Sequence, residues 1–147
     1  MKIRYNRLIY LWLLSIEQVI KMSVETKILE FLEKENADTK IRLYLNILRV
    51  LATYYGVLWL SELYGDLLKL YSTFDWPIDF DMKDIEKSVS TLEKMGFIDV
   101  EERFKATYTN ESKKEKFIKL AKMEDTLRGL SSDEVFSKFS QAHFRGP

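Results

Sequence analysis

Cysteine is absent from the 147 residues, histidine occurs once, proline twice and glycine five times. Without cysteine there is no disulfide framework, no thiol nucleophile and no thiolate site for zinc or an iron–sulfur cluster. The one histidine, His143, stands near the carboxyl end, which leaves little for an imidazole metal cluster or a Ser-His-Asp triad. No Gly-rich phosphate loop and no nucleophile elbow is present. An excess of either charge is also missing, with 23 Lys+Arg against 23 Asp+Glu, so the simplest case for nucleic-acid binding, an overall basic chain, does not apply. What is there is apolar: 46% hydrophobic and 14% aromatic residues exclude wholesale disorder, and the length suits one domain with a real core. A non-enzymatic protein without cofactor or metal is expected.

The balance of charge is uneven along the chain. Residues 1–60 are net +3, residues 61–100 net −5 and residues 101–147 net +2, an acidic middle between mildly basic ends. Asn and Gln are scarce beside Lys and Glu, a composition like that of thermophile proteins.

Lys2, Arg4 and Arg7 precede the apolar run Leu8–Leu14, which imitates a signal peptide. The run is shorter than the ~20 residues a bilayer requires, and Glu17, Gln18 and Lys21 stand where a small-residue cleavage site would be. An amphipathic helix that packs on the domain or on a second copy is the preferred reading, with no membrane and a cytoplasmic location expected. Met22, followed by the helix-capping Ser23, is an alternative first residue.

Ser23 predicts a helix over about 24–35, and Asp38 or Thr39 another over about 39–55 with a wide apolar stripe, ended by Gly56. Val57–Leu60 reads as a short strand or link. Ser61 would cap a helix to about Tyr71, and a connector with Trp76-Pro77 follows, where a helix cannot continue. Asp81 would cap a helix over about 82–95, whose buried stripe is Ile85, Val89, Leu92 and Met95, stopped by Gly96. From Phe97 to Tyr108 the period changes to two. Ile98, Val100, Phe104, Ala106 and Tyr108 share one face of a hairpin that turns near Glu102-Arg103. Thr109 or Asn110 would then cap a helix to about Arg128 containing Phe117, Leu120, Ala121 and Leu127, and Ser132 a last short helix. Tyr54, Tyr55, Trp59, Tyr64 and Tyr71 are read as core aromatics, and Phe74 and Trp76, on the connector, as a plug of the space above the helix from Ser61 in preference to a partner anchor.

The order helix, short strand, helix, helix, hairpin, helix resembles the winged helix-turn-helix superfamily, as found in small MarR- and PadR-type regulators. The most specific stretch is Ile85 to Val100, where Leu92-Glu93-Lys94-Met95-Gly96-Phe97-Ile98 is similar to the exit from the third helix into the wing. Ser61-Glu62-Leu63 and Tyr108-Thr109-Asn110-Glu111 add to the likeness, which covers about residues 39–123. The resemblance implies a mainly α fold with a small β-hairpin: a winged-helix domain over 39–123, an N-terminal helical extension over 1–38 and a C-terminal one over 124–147. Residues 1–35 and 112–144 would make a homodimer surface. It also implies a transcription regulator that lays the outer face of its third helix in a DNA major groove.

On that reading Lys83, Lys87, Ser88, Ser90 and Thr91 face double-stranded DNA, and Arg103, Lys105, Lys113 and Lys114 serve the wing and the start of the following helix. Asp84 and Glu86 oppose it, since each acid near a phosphate weakens the attraction that supplies non-specific affinity. Glu101, Glu102, Glu111 and Glu115 interleave with the wing cations as they would on an ordinary solvated face. The acidic third helix, with the apolar first twenty residues, motivates the alternative of a winged-helix module that binds a protein partner within a transcription or replication assembly. The acidic run Asp75, Asp79, Asp81 and Asp84 lacks the Gly and terminal Glu of a calcium loop and reads as caps and surface.

Overall fold

The computed structural model describes residues 22–106 and 112–143, and these form a mainly helical fold with a small three-stranded antiparallel sheet. The expected helix around residues 8–20 and the Tyr108–Glu111 motif lie outside the described residues. Helix α1 (Val24–Lys34) starts where Ser23 accepts the Thr26 N–H at 3.2 Å. After one 3₁₀ turn (Glu35–Ala37), Asp38 accepts the Lys40 N–H at 2.9 Å and caps α2 (Thr39–Thr53). Every residue from Leu45 to Thr53 is buried, so the wide apolar stripe belongs to a helix enclosed on all sides. Gly56 at φ +83° turns the chain out of α2, and its N–H returns to the Leu51 carbonyl at 2.7 Å.

Strand β1 (Val57–Trp59) leads into α3 (Leu60–Thr73). The expected cap at Ser61 is replaced by a long-range one. The helix begins at Leu60, and the Ser61 N–H donates to Glu115 of the distant hairpin at 2.8 Å. Phe74 and Trp76 stack at 5.2 Å between centroids, and Trp76 meets the buried Tyr71 edge-on at 5.6 Å, so the connector does plug the space beside α3. The other expected core aromatics divide: Tyr71 is enclosed, whereas Tyr55 is 78% exposed. Helix α4 (Met82–Lys94) opens with a reciprocal capping box between Asp81 and Asp84. Asp84's N–H, donated to the Asp81 carboxylate, is the main reason that group titrates below the usual range.

The carboxyl-terminal half departs most from expectation. Strand β2 (Ile98–Ala106) pairs with β3 (Ser112–Leu120) over nine residue pairs, and β3 also pairs with β1, giving the order β1-β3-β2. The reversal therefore lies between Ala106 and Ser112, not near Glu102-Arg103, which pair with Lys116 and Glu115 in mid-strand. The helix expected from about residue 110 to 128 is a strand followed by a short helix, α5 (Met123–Gly129). Ile118 and Leu120 face the core, while Phe117 points to the other face and packs edge-on against Trp59 at 5.1 Å. A central strand with apolar residues on both faces loses its alternation and imitates a helical spacing. Helix α6 (Glu134–His143) is capped by Asp133 rather than Ser132, through the Phe136 N–H at 3.2 Å.

One core joins these elements. Val24 and Ile28 of α1 share a buried cluster with the middle of α2, Leu63, Leu67 and Leu70 of α3, and Leu130 and Phe139. Inside it sits Arg49, fully buried. Its Nε and Nη2 donate to Asp133 at 2.7 and 3.1 Å, its Nη1 and Nη2 to Glu35, and its Nη1 to Asn46 Oδ1 at 2.8 Å. All five donors of the guanidinium are thus used. Burial alone would lower the Arg49 pKa, but the Glu35 and Asp133 hydrogen bonds outweigh it and raise the group, so the charge is fixed.

Candidate nucleic-acid interface

Helix α4 presents three faces, set by 3.6 residues per turn. Ile85, Ser88, Val89 and Leu92 are buried. Opposite them, Lys83, Lys87, Ser90 and Lys94, at i, i+4, i+7 and i+11, form an exposed stripe. The acids fall on the flanks, and Glu86, exposed three residues after Lys83 and four before Ser90, borders the stripe itself. Glu93 accepts the Val100 N–H at 3.2 Å beside the hairpin, and Asp84 is held in the capping box. The outer face is consequently more basic than the composition of residues 81–95 suggests. Among the described residues, no carboxylate lies within ion-pair distance of Lys83, Lys87 or Lys94.

The expected outward set needs one correction and one addition. Ser88 is 6% exposed and faces inward, because it follows Ile85 by three residues and precedes Leu92 by four, which places it on the buried stripe. Thr91 is half-buried at the edge of the outer face. Lys94, expected in the helix but not in its outward set, completes the stripe one turn beyond Ser90. Its i+4 spacing from Ser90 was the available signal.

The hairpin cations are arranged differently. Arg103 bonds Glu101 at 2.7 Å and lies over the Phe117 ring at 4.3 Å. Lys105 lies 3.8 Å from both Glu62 and Glu115 and 5.5 Å from the Trp59 ring centre. Lys114 pairs with Glu102 at 2.9 Å and is the main cause of that carboxyl's lowered pKa. Lys113 is exposed opposite Lys105. Lys113 and Lys114 stand on β3, not on a helix, and their side chains fall on opposite faces of the hairpin. Burial raises the Glu115 pKa, but the Ser61 N–H together with Lys105 and Lys113 outweighs it, leaving the group below its usual value. Past Val100 the hairpin extends beyond the core, and Phe104, expected on its dry face, is 71% exposed.

Between the start of α2 and α4 lies an open cleft of about 560 Å³. Leu43, Tyr44 and Phe80 supply its apolar wall, and Lys40, Lys87 and Lys94 its cations. Among the described residues no group of three or more metal-binding side chains converges, and no helix is long and apolar enough to cross a membrane. Comparison with family models, curated proteins and solved structures finds no match to this chain.

Proposed function

We propose that the chain is a winged helix-turn-helix protein that binds duplex DNA through α4, as a homodimeric, non-enzymatic regulator of transcription. The observation that carries this reading is the exposed stripe Lys83, Lys87, Ser90 and Lys94, whose lysines have no carboxylate at ion-pair distance among the described residues, on the second of two consecutive helices beside a projecting hairpin. Lysines with no carboxylate at ion-pair distance break no close ion pair when they meet phosphate, so the release of DNA counterions favours binding. The paired hairpin cations contribute less, since each must leave a carboxylate first. Leu29 on α1 and Leu127 on α5 are exposed apolar residues that suit contact with a second copy.

The test is a gel-shift titration against genomic DNA fragments at two salt concentrations. Retention that weakens with salt, and weakens again in Lys83→Glu/Lys87→Glu, supports the reading. No retention at low salt refutes it. A second reading has its own observation. The neutralised hairpin with Phe104 at its exposed end suits a protein partner rather than phosphate. Capture of one stoichiometric partner by the intact protein, lost in Phe104→Ala, with no DNA retained, would favour it.

A further inference from the structure

We propose that the free edge of β2 pairs with β2 of a second copy, antiparallel about a two-fold axis at Glu102, so that two hairpins join in one continuous sheet. This names the interface of the homodimer and rests on that part of the proposed function; it uses neither DNA nor α4. Strand β2 is the outer strand of the order β1-β3-β2. It runs for nine residues without proline, and its register against β3 is unbroken, so two devices that commonly blunt a sheet edge, proline and a bulge, are missing. The direction of its backbone groups follows from Val100, whose N–H leaves the sheet for the Glu93 carboxylate at 3.2 Å. Antiparallel strands turn alternate residues toward each side, so Glu102 and Phe104 also direct their N–H and C=O outward. Among the described residues no strand pairs with that edge, and residues 101–104 and 106 are exposed. Charge, another device that protects edges, is present, but its order suits a second copy.

Reversed on itself about Glu102, the strand sets Asp99 opposite Lys105 of the second copy, Glu101 opposite Arg103 and Val100 opposite Phe104. The two unlike-charge pairs fall between the ladder bonds, where side chains on neighbouring strands come closest. Only Glu102 meets its like, and each Glu102 is already held by its own Lys114 at 2.9 Å. Moving the axis by one residue loses the match: at Glu101 it sets Val100 against Glu102, and at Arg103 it sets Phe104 against Glu102. An axis between residues is excluded, because an outward-directed backbone would then face an inward-directed one. In the Glu102 register the Glu102 N–H of each copy meets the Glu102 carbonyl of the other, and the Phe104 N–H meets the Val100 carbonyl. The Val100 N–H stays with Glu93, which ends the ladder. Phe104, exposed in the single chain, comes to lie against Val100 of the second copy, which itself packs on the buried core.

Sedimentation velocity of the full chain without DNA, over a range of concentrations, tests the interface. Exchange between monomer and dimer that follows concentration is expected. Glu101→Arg and Arg103→Glu each set like charges across the axis, and each should weaken self-association by about tenfold or more. Both side chains are exposed, so the melting temperature should change little. An equimolar mixture of the two variants regains both unlike pairs and should dimerise again, as should the chain that carries both substitutions. A mixture that stays monomeric would overturn the pairing, and a native chain that stays monomeric throughout would overturn the pairing and the homodimer together. Dimers that survive both variants but dissociate in Leu29→Glu/Leu127→Glu would keep the homodimer and overturn this interface. A hairpin-paired dimer that retains no duplex DNA in the gel shift would support the interface and overturn the DNA reading alone.

Discussion

Replacing Asp133 by alanine should be among the most damaging single changes outside the apolar core. The carboxylate takes two of the five guanidinium donors of Arg49, at 2.7 and 3.1 Å, and accepts the Phe136 N–H that starts α6. Alanine removes both roles. The Arg49 side chain is fully buried, so water cannot replace the lost acceptor without opening the core. Breaking a buried pair from one side costs about 3–5 kcal/mol, and loss of a helix cap about 1 kcal/mol. Against a total stability of about 5–15 kcal/mol, this removes a large fraction. Urea unfolding followed by circular dichroism should show the midpoint falling with an unchanged slope, and the melting temperature falling by about 10 °C or more. Glu35→Gln, at a less buried partner that keeps an acceptor, should cost distinctly less. A loss under about 1 kcal/mol for Asp133→Ala would refute the view that α6 is tied to α2 through Arg49.

Other changes test neighbouring parts of the account. Gly129→Ala should destabilise by about 1–3 kcal/mol in the same unfolding assay, because a Cβ there would stand 2.9 Å from Ile28 where α1 and α5 cross. Glu115→Gln should lower stability chiefly above the ordinary glutamate range. The carboxyl's folded pKa is depressed, so its contribution is present above the unfolded pKa and is lost as pH falls through the folded one. An unfolding midpoint whose fall between neutral and acid pH is no smaller in Glu115→Gln than in the native chain would contradict this. Ser88→Lys should lower the melting temperature, whereas Ser90→Lys should leave it unchanged, since only Ser88 is buried.

The amino-terminal half was legible because its signals are local. Ser23, Asp38 and Asp81 cap the helices they precede, and Ile85, Val89 and Leu92 mark a buried face at helical spacing. What was missed depends on contacts distant in sequence. Strand β3 lies between two partners and shows apolar residues on both faces, so its periodicity pointed to a helix. The Ser61 N–H is satisfied by a residue 54 positions away, which no local pattern records. Arg49 looks like a solvated charge until Glu35 and Asp133 converge on it. The only local trace was its place among Leu45, Leu48, Leu51 and Ala52 on a helix buried all round. In the candidate interface, composition obscured geometry. The acids of residues 81–95 made α4 look hostile to phosphate, yet Asp81 and Asp84 are held in the cap and Glu93 beside the hairpin, leaving Glu86 at the edge of the lysine stripe. The hairpin, which looked the more basic of the two, has most of its expected cations in ion pairs.

The most direct measurement of the central claim is the salt dependence of duplex DNA binding by fluorescence anisotropy. It compares the native chain with Lys83→Gln/Lys87→Gln and with Arg103→Gln/Lys114→Gln. The α4 pair should lower the slope of log affinity against log salt by about 2 per bound protomer. The hairpin pair should lower it by less, because those cations are already matched by Glu101 and Glu102. Equal slopes for the native chain and the α4 variant, or a larger loss from the hairpin variant, would contradict the account.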